Sequence, residues 1–523
     1  MQKGEKTRIF KNVTSNWLAL GINVLVGVLL SPFILHRLGD AAFGIWVLIF
    51  SLTGYYGIFD LGIRSAIVRY ISKFSATGDA EELCKVVNTN LFVYSCIGAV
   101  SMALTLLLSV YVERLFHIPP ELHDAARWLL IMTGASVAVG FPLGLMDGIL
   151  AGLQRFYLLS WTNILSGLVR ALLIVVALNH GFGLITIALI TVAVSTAASL
   201  LRAVIALRVC PVTFSPRYIR RETFTATARY SGVSFVLLIA TRLKFKSDEI
   251  VLGTMLSAAA ITYFNIGARI VDYAGNVVTS LAQIFVPMAS HSEATGDLDG
   301  LRKMFVAGNR FCAMVIFPIC LTLIILGKSI IEVWVGKKYV AVSYPVLVVM
   351  ILPCTLLWAQ GASSRLLLGI SKHRTWALVT LVEGIANVLL SVLLVRPYGI
   401  IGDALGTAIP MTLSMTLFMP RHVCRELNIR LSLYLREAYL LPLILCLPLA
   451  IALLSMRRWF VAHHFLQLGL QLLIAGLVYG LGVGWAFFTH RATHVKRLSP
   501  AQANNANGRP LLATQVESVE QEI

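Results

Sequence analysis

The residues Ala76-Thr77-Gly78-Asp79 recur 218 positions downstream as Ala294-Thr295-Gly296-Asp297. The same register pairs further identical residues without a gap, and in the first copy these are Leu38, Ala41, Ala42, Tyr55, Gly57, Val68, Ser72, Leu83 and Lys85. Shared hydrophobicity explains matched leucines, but it does not explain a four-residue identity in a polar loop. The chain therefore contains two tandem copies of one long unit, a pattern that is typical of membrane transporters.

The composition indicates a membrane protein, because 58% of the residues are hydrophobic and only 13% are charged. Apolar runs of about 20 residues recur from end to end, and this length crosses a bilayer core of ~30 Å. They predict fourteen transmembrane helices, numbered here as spans 1 to 14, near residues 12–35, 43–63, 87–111, 126–146, 157–178, 182–204, 230–253, 257–287, 308–327, 340–363, 376–395, 400–419, 438–456 and 466–488.

The repeat also predicts how these spans are arranged. Each copy has six spans, an even number, so both copies enter the membrane from the same side. We expect an all-α polytopic membrane protein in which two parallel six-helix repeats surround a central cavity, with two C-terminal helices outside the repeat. The predicted units are an N-terminal bundle (1–204), a basic cytoplasmic linker (205–229), a C-terminal bundle (230–428), two further helices (429–490) and a disordered tail (491–523).

The net charge of +18 follows the predicted topology and does not indicate a nucleic-acid partner. With the N-terminus in the cytoplasm, most of the 43 Lys and Arg residues fall in cytoplasmic connections and tails. The outer connections hold nine, which are Arg37, Arg114, Arg127, Lys328, Lys337, Lys338, Arg396, Arg457 and Arg458. Because basic residues accumulate on the cytoplasmic side, both termini are predicted to be cytoplasmic, with anionic lipid headgroups as neighbours.

Span 7 carries five charged side chains around its midpoint: Arg242, Lys244, Lys246, Asp248 and Glu249. Each costs about 2.5–3.5 kcal/mol at the centre of a bilayer. Five such groups facing lipid would be prohibitive, so they line a wet cavity or pair with one another. The i, i+4 and i+3 spacing places Arg242, Lys246 and Glu249 on one helical face.

Three other spans add buried charge, namely Arg170 in span 5, Arg269 and Asp272 in span 8, and Glu383 in span 11. A strip of cations suits an anionic group such as a phosphate or diphosphate, and Arg242 and Lys246 are the first candidates for binding it. The candidates for taking up a proton or Na⁺ to couple transport are Asp248, Asp272 and Glu383. Internal salt bridges are the alternative for all of these residues, and the sequence leaves both interpretations open.

The sequence contains no complete motif for catalysis or cofactor binding. Gly327-Lys328-Ser329 resembles the end of a P-loop, but Thr322 stands where the first glycine is required. The eight cysteines are isolated and show no spacing for a disulfide framework or a zinc site. The sequence therefore predicts a protein that is not an enzyme and has no cofactor or bound metal. An ion gradient, the membrane potential or the substrate gradient would drive its transport.

Several stretches resemble a known family. Residues 38–46 (LGDAAFGIW), 59–63 (FDLGI) and 69–72 (RYIS) are similar to the N-terminal pattern of polysaccharide-biosynthesis flippases. These are the O-antigen and exopolysaccharide exporters of the multidrug/oligosaccharidyl-lipid/polysaccharide superfamily. Ser247-Asp248 with residues 250–253 resembles the seventh helix of that family.

Two more stretches fit the same family in the expected order. Residues 263–269 (YFNIGAR) resemble its eighth helix, and residues 368–374 (LGISKHR) resemble its turn between helices 10 and 11. The resemblance covers roughly residues 10–425. Each motif is loose, and the specificity comes from their order and spacing together.

The resemblance implies a flippase that moves an undecaprenyl-diphosphate-linked oligosaccharide across the bacterial cytoplasmic membrane by alternating access. A cation-lined cavity would hold the diphosphate head while the lipid tail stays in the bilayer. The residues of this chain that match that role are Arg242, Lys246, Lys244, Arg269 and Arg170. A polysaccharide polymerase and glycosyltransferases are the partners that the resemblance suggests.

Two transporter alternatives stay open on the sequence, a cation-coupled multidrug exporter and a lipid II-type peptidoglycan precursor flippase. The mid-membrane charges of spans 7 and 8 favour an anionic cargo by a single charge, and this weighs against the multidrug exporter. A membrane-embedded polymerase is disfavoured because such enzymes carry a long outer loop, and no outer connection here is long enough.

Overall fold

The computed structural model describes residues 3–210, 212–372 and 374–498. Within these ranges the chain is almost entirely helical and contains no β-strand. The predicted all-α class is therefore confirmed.

The first copy of the repeat folds into seven α-helices, one more than its six predicted spans. The additional helix follows a short 3₁₀ turn at the end of the second span. They are α1 (Lys3–Leu38), α2 (Asp40–Tyr55), α3 (Ile63–Thr77), α4 (Ala80–Leu115), α5 (His123–Gly152), α6 (Phe156–Asn179) and α7 (Leu184–Val209).

The rest of the described chain forms eleven more α-helices. They are α8 (Arg221–Lys246), α9 (Asp248–Met255), α10 (Ala258–Ala282), α11 (Phe285–Ala294), α12 (Leu298–Trp334), α13 (Lys337–Ala359), α14 (Gly361–Gly369), α15 (Arg374–Leu413), α16 (Met419–Glu426), α17 (Leu431–Trp459) and α18 (Phe465–Leu498).

The repeated tetrapeptide builds the same turn in both copies. Gly78 ends α3 and Gly296 follows α11, with φ of 72° and 70°, a conformation that favours glycine. The next residue caps the following long helix: Asp79 accepts a hydrogen bond from a backbone N–H three residues on at 3.0 Å, and Asp297 does the same at 2.7 Å. The four-residue identity is therefore explained by one helix stop joined to one helix start.

Eleven helical stretches of the described chain are long and apolar enough to cross a membrane. One of them, Arg374–Glu426, has 53 residues and contains the non-helical Gly399, with φ 58° and ψ −135°. Ser391 packs against Gly406 across this break, so α15 is a hairpin of two antiparallel arms. The helices α8 and α10 are not among the eleven, and the predicted total of fourteen spans stays a prediction.

The predicted linker is shorter than expected, because α7 extends to Val209 and α8 begins at Arg221. Two side chains of α4 hold the segment between them. Asn88 donates to the Thr213 carbonyl at 2.9 Å, and Thr89 accepts from the Arg220 backbone N–H at 3.1 Å. At the other end of the chain α18 continues past residue 490, and the remaining part of the predicted tail, 499–523, lies outside the described residues.

Helix packing follows the order of the copies. The most extensive contacts in the first copy are α4 with α5, α5 with α7, and α1 with α6. In the second copy α8 packs along α15, while α12 packs on α13 and α17. The helices α2 and α10 pack on each other and so join the two copies. A continuous hydrophobic core runs through this junction. The unit boundaries predicted above stay a prediction.

Helices α4 and α5 approach each other closely at Gly98, so we expect a single added methyl group at this position to lower the stability of the protein. A Cβ at Gly98 would overlap the Ala138 carbonyl, whereas a Cβ at Gly144 would meet nothing within 4 Å. Gly98→Ala should therefore lower stability by about 1–3 kcal/mol through overpacking. Gly144→Ala should raise it by about 0.5–1 kcal/mol through helix propensity. Thermal unfolding of the two purified variants measures this difference, and equal shifts would contradict the packing.

Candidate functional site

The charged stretch predicted in span 7 lies across a helix break. The helix α8 ends at Lys246 and α9 begins at Asp248, while the intervening Ser247 donates from its hydroxyl to the Leu243 carbonyl at 2.7 Å. The side chains on either side of the break lie in different surroundings. They form a buried ion pair, a partly exposed charged group and a buried oxygen-rich cluster.

The buried ion pair joins Lys244 to Glu383, and each residue is 3% exposed. Ser414 donates to the other carboxylate oxygen of Glu383 at 2.9 Å, and Asn387 donates to the Lys244 carbonyl at 2.9 Å. The pair therefore fixes α8 on the first arm of the α15 hairpin and, through Ser414, on the turn that follows the second arm. In this arrangement neither Lys244 nor Glu383 is open to a cavity.

Arg242 points the other way, toward the first copy. Its guanidinium lies against the turn after α2, where a Cβ at Gly57 would be 3.0 Å from one terminal nitrogen. The Tyr55 hydroxyl donates to the Arg242 carbonyl at 3.4 Å. In the part of the chain that the structure describes, no carboxylate lies within ion-pair distance of this half-exposed guanidinium. It is a cation placed between the two copies without a protein counter-ion.

A mixed group of charges adjoins Arg242. Lys246 Nζ lies 3.7 Å from Glu249 Oε1, and Glu249 is buried and accepts from Ser51 at 3.3 Å. On α10, Arg269 and Asp272 are exposed, and Asp272 lies within electrostatic reach of Lys246 and Arg269. The structure therefore places Lys246 of α8 near Arg269 and Asp272 of α10, and the binding role of these cations stays a prediction.

Arg170 is half-buried on α6, which packs mainly on α1 and α7. No ion pair involves it within the described residues. The structure shows no contact between Arg170 and the group on α8 and α10, and its predicted role in substrate binding stays a prediction.

Sequence reasoning missed the polar cluster around Asp248. Thr407 donates to Asp248 at 3.0 Å, and the fully buried Asp403 lies on the same hairpin arm. Asp403 was visible as an acid inside predicted span 12, and the rule that flagged Glu383 applies equally to it.

A second missed group lies in the first copy. Arg202 Nε donates to Asp147 at 2.7 Å, and Arg64 approaches the other oxygen of that carboxylate at 3.9 Å. Asp147 sits just past the predicted end of span 4 and Arg64 just past that of span 2, so both were assigned to connections rather than to a site.

Asp40 forms a latch between the copies at one end of the molecule. Lys338 and the Tyr339 hydroxyl donate to its carboxylate at 3.0 Å and 2.6 Å, and the Tyr263 hydroxyl donates at 3.2 Å. The Thr262 hydroxyl adds a bond of 2.7 Å to the Asp40 carbonyl. These contacts tie the start of α2 to α10 and α13. The copies therefore meet at this end, which the charge rule predicts to be the outer one.

An apolar cavity of about 690 Å³ opens between α1, α10, α12, α17 and α18. Its walls include Tyr273, Pro318, Trp334, Phe465 and Tyr479. Tyr273 is on the same helix as the exposed Arg269 and Asp272. One helix thus borders both the charged group and the apolar cavity.

The family model for polysaccharide biosynthesis proteins matches residues 9–293, which is more than half of the chain. The chain belongs to this family. The resemblance inferred from the motifs is therefore confirmed, and this family member is a multi-pass membrane protein of the transporter type.

Two relatives cover most of this family member. The membrane protein EpsK of Bacillus subtilis is 24% identical over 81% of this chain and 85% of its own length. A putative O-antigen transporter of Shigella flexneri is 22% identical over 78% of this chain and 96% of its own length.

The fold is also similar to a solved structure. The lipid II flippase MurJ, in an inward closed conformation, matches with a TM-score of 0.70 at 17% identity. The match covers 91% of this chain and 99% of that one. At this identity the likeness shows the fold, and it agrees with the predicted transporter architecture.

The buried ion pair can be tested apart from any transport. Lys244→Met leaves Glu383 as an unpaired buried charge, so we expect it to cost about 3–5 kcal/mol of stability. Lys244→Met combined with Glu383→Met removes both charges and should recover most of that loss. Thermal unfolding of the purified variants is the measurement, and Lys85→Met, at an exposed pair with Glu81 and Glu82, is the control. A double variant as unstable as the single one would show that the pair does not act as a unit.

Proposed function

We propose that this protein is a flippase. It moves an undecaprenyl-diphosphate-linked oligosaccharide from the cytoplasmic to the outer leaflet for polysaccharide biosynthesis, by alternating access and without ATP hydrolysis. The observation that carries the proposal is the position of Arg242 between the two copies, a cation that has no ion-pair partner among the described residues. The names of the relatives, an O-antigen transporter and a lipid II flippase, support the same class of cargo.

The charged group suits the head of such a lipid. A guanidinium presents a planar fork of donors that matches phosphate oxygens, and Lys246 adds a flexible point charge a helical turn away. Arg269 contributes a further exposed cation from α10. We assign the diphosphate to these three residues, and Arg170 stays a predicted contact of the same diphosphate head. Lys244 is assigned a structural role because it forms a buried ion pair with Glu383.

The side-chain pairing also strengthens the choice of an anionic cargo. Lys244 and Glu383 neutralise each other, and Asp248 lies in a separate buried cluster. The charged group then consists of three cations, Arg242, Lys246 and Arg269, and two acids, Glu249 and Asp272. This balance supports an anion over the cationic drugs of a multidrug exporter. A lipid II-type cargo has the same head chemistry and is kept as the second candidate.

The apolar cavity suits the tail. Its lining is almost entirely hydrocarbon and aromatic, as expected for a groove that accommodates an isoprenoid chain. Because α10 borders both the cavity and the charged group, one amphipathic molecule can contact both. The proposed location is the bacterial cytoplasmic membrane, with both termini in the cytoplasm where the basic connections lie.

The latch at Asp40 supports alternating access. With the copies joined at the predicted outer end, the charged group is reached from the opposite side, which is where a cytoplasmic substrate would enter. Breaking this latch and closing the inner ends would deliver the head outward. The free energy for this change comes from an ion gradient, the membrane potential or the substrate gradient.

The substrate assignment predicts a specific failure. In a deletion strain complemented with Arg242→Gln plus Lys246→Gln, we expect surface polysaccharide to fall at least about tenfold, since a hydrogen bond to a charged group contributes about 1.5–3 kcal/mol. Diphosphate-linked repeat units should accumulate in the lipid pool, which mass spectrometry measures and which identifies the sugar. Lys73→Gln plus Arg217→Gln, two exposed cations, is the matched control at equal protein level.

Three outcomes would overturn or redirect this assignment. Normal polymer and a normal lipid pool in the Arg242 and Lys246 variant would contradict substrate binding by these residues. Drug sensitivity with a normal pool in the deletion strain would favour a multidrug exporter. Accumulation of lipid-linked peptidoglycan precursor would favour the lipid II-type flippase.

The latch gives a second expected result. Asp40→Asn removes the charge that Tyr339 and Lys338 contact, so the outer ends should separate in a larger fraction of molecules. A change of about tenfold corresponds to one hydrogen bond to a charged group. Spin labels at Glu121 and Lys337, both exposed, report the distance between the predicted outer ends of the two copies by pulsed electron paramagnetic resonance.

The labelled protein should also carry Cys96→Ser and Cys210→Ser, which removes the more accessible native thiols. Asp124→Asn, an exposed acid near the start of α5, is the control and should leave the distance distribution unchanged. A distribution in Asp40→Asn identical to that of the control would show that the latch does not hold the outer ends.

A further inference from the structure

We propose that the first copy carries a binding site for a phosphate group where the end of α3, the turn from α5 to α6 and the end of α7 meet. The ligand is the phosphate of an anionic phospholipid in the leaflet at this end of the molecule, which the charge rule predicts to be the cytoplasmic one. The site is separate from the group assigned to the diphosphate, and it does not rest on the proposed function.

A cavity of about 410 Å³ opens between these three segments. This volume lies within the range of ~300–1,000 Å³ that is usual for small-molecule sites. Its polar lining includes Ser72 and Ser75 of α3 with Gln154 and the half-buried Arg155 of the turn, and Val209 closes it at the end of α7. None of the lining residues is acidic.

The second copy builds the same turn. In each copy the two residues after the helix donate backbone hydrogen bonds, the first to the carbonyl three positions back and the second to the carbonyl five positions back. They are Gln154 and Arg155 in the first copy, and Ser371 and Lys372 in the second. Gln154 and Ser371 also share a positive φ, 57° and 56°. Arg155 and Lys372 are therefore equivalent cations.

The cation of the second copy has a partner in the protein. Lys372 Nζ lies 2.7 Å from Glu426 Oε2, and Glu426 is the last residue of α16. The residue that follows, Leu427, donates its N–H to the carbonyl four positions back. The end of α7 is built in the same way, with Cys210 donating four positions back after the last helical residue, Val209. Val209 therefore stands where the second copy has its acid.

The first copy leaves its cation without a counter-ion. Among the described side chains no carboxylate forms an ion pair with Arg155, and the hydroxyls of Ser72 and Ser75 have no hydrogen-bond partner. The register of the repeated tetrapeptide pairs Ser75 with a second acid, Glu293. Both acidic positions of the second copy are thus neutral in the first, and a bound anion supplies the missing negative charge.

The lining matches a phosphate group. A guanidinium donates two parallel hydrogen bonds to phosphate oxygens, and serine hydroxyls donate to the oxygens that remain. Two exposed cations flank the lining residues in the sequence, Lys73 beside Ser72 and Arg208 beside Val209. Each cation near a membrane surface adds about 1 kcal/mol of attraction to anionic lipid.

The position in the fold favours a lipid as the source of the phosphate. The cavity lies where three helical stretches that are apolar enough to cross a membrane end or begin, at Gly152, Phe156 and Val209. Headgroup phosphates lie at this level of a bilayer. Phe156 follows Arg155 directly and its side chain is exposed, so an apolar surface for an acyl chain adjoins the cation. A free phosphate ion would make no use of this surface.

The test measures lipid binding by the purified full chain in neutral detergent, with native mass spectrometry of the protein titrated with phosphatidylglycerol. We expect one tightly bound phosphatidylglycerol per chain and no comparable binding of phosphatidylcholine. Arg155→Gln should weaken this binding at least about tenfold, since it removes charge-assisted hydrogen bonds. Lys372→Gln, at the equivalent but paired cation, is the control and should leave it unchanged. Thermal unfolding of each variant checks that it is folded.

Exchange of the acid between the copies gives a second readout that keeps Arg155 in place. Val209→Glu supplies the carboxylate that the first copy lacks, so it should pair with Arg155 and weaken phosphatidylglycerol binding at least about tenfold. Val209→Gln is the matched control without the charge and should bind as the parent does. Glu426→Val frees Lys372 and should add a second bound lipid.

Three outcomes would overturn the proposal. Equal binding by the parent, Arg155→Gln and Val209→Glu would show that the cavity is not the site. Equal binding of phosphatidylcholine would show that no anion is recognised. Displacement of the lipid by sodium phosphate at equal concentration would show that the site takes a free phosphate instead of a lipid. None of these measurements uses a lipid-linked oligosaccharide, so failure of the flippase assignment is distinguishable from failure of this site.

Discussion

The ion pair between Lys244 and Glu383 anchors the charged half of this molecule. Burying either charge alone would cost several kcal/mol, so α8 and the α15 hairpin are held at the register in which both are satisfied. That register decides what the neighbouring residues face. Two positions before Lys244, Arg242 points at the first copy, and four positions after it, Asp248 points into the hairpin. One structural pair thus separates the partly exposed Arg242 from the buried, oxygen-rich cluster around Asp248.

Polar and apolar surfaces are divided along single helices in the same way. Helix α10 contributes Arg269 and Asp272 to the charged group and Tyr273 to the wall of the apolar cavity. An amphipathic lipid that lies along α10 would be recognised at both ends by one rigid element. The latch at Asp40 contacts the second turn of the same helix through Thr262 and Tyr263. In the proposed transport cycle, movement at the latch would therefore reach the charged group through α10 as a rigid element.

The fold could be predicted from the sequence because its main signals are local. Apolar runs predict helices, and Gly78 with Asp79 encodes a helix stop and a helix start that recur in the second copy. The charged group was found for a related reason, since a charge within an apolar run is visible in one stretch of sequence. The division of this group into a buried ion pair and partly exposed charges was not predictable. Lys244 meets Glu383 only after two helices that are distant in sequence pack on each other. Asp403 was overlooked although it satisfied the same rule, and the contact between Ser391 and its carbonyl forms only after the two arms of the α15 hairpin pack on each other.

The short connection between α7 and α8 has a mechanical consequence. Asn88 and Thr89 of α4 form hydrogen bonds with it near both ends, so it cannot extend without breaking these bonds. The first helix of the second copy therefore cannot slide away from the first copy at this point. In the proposed transport cycle, relative motion of the two copies would therefore be smallest at this connection and largest at the far end of the molecule.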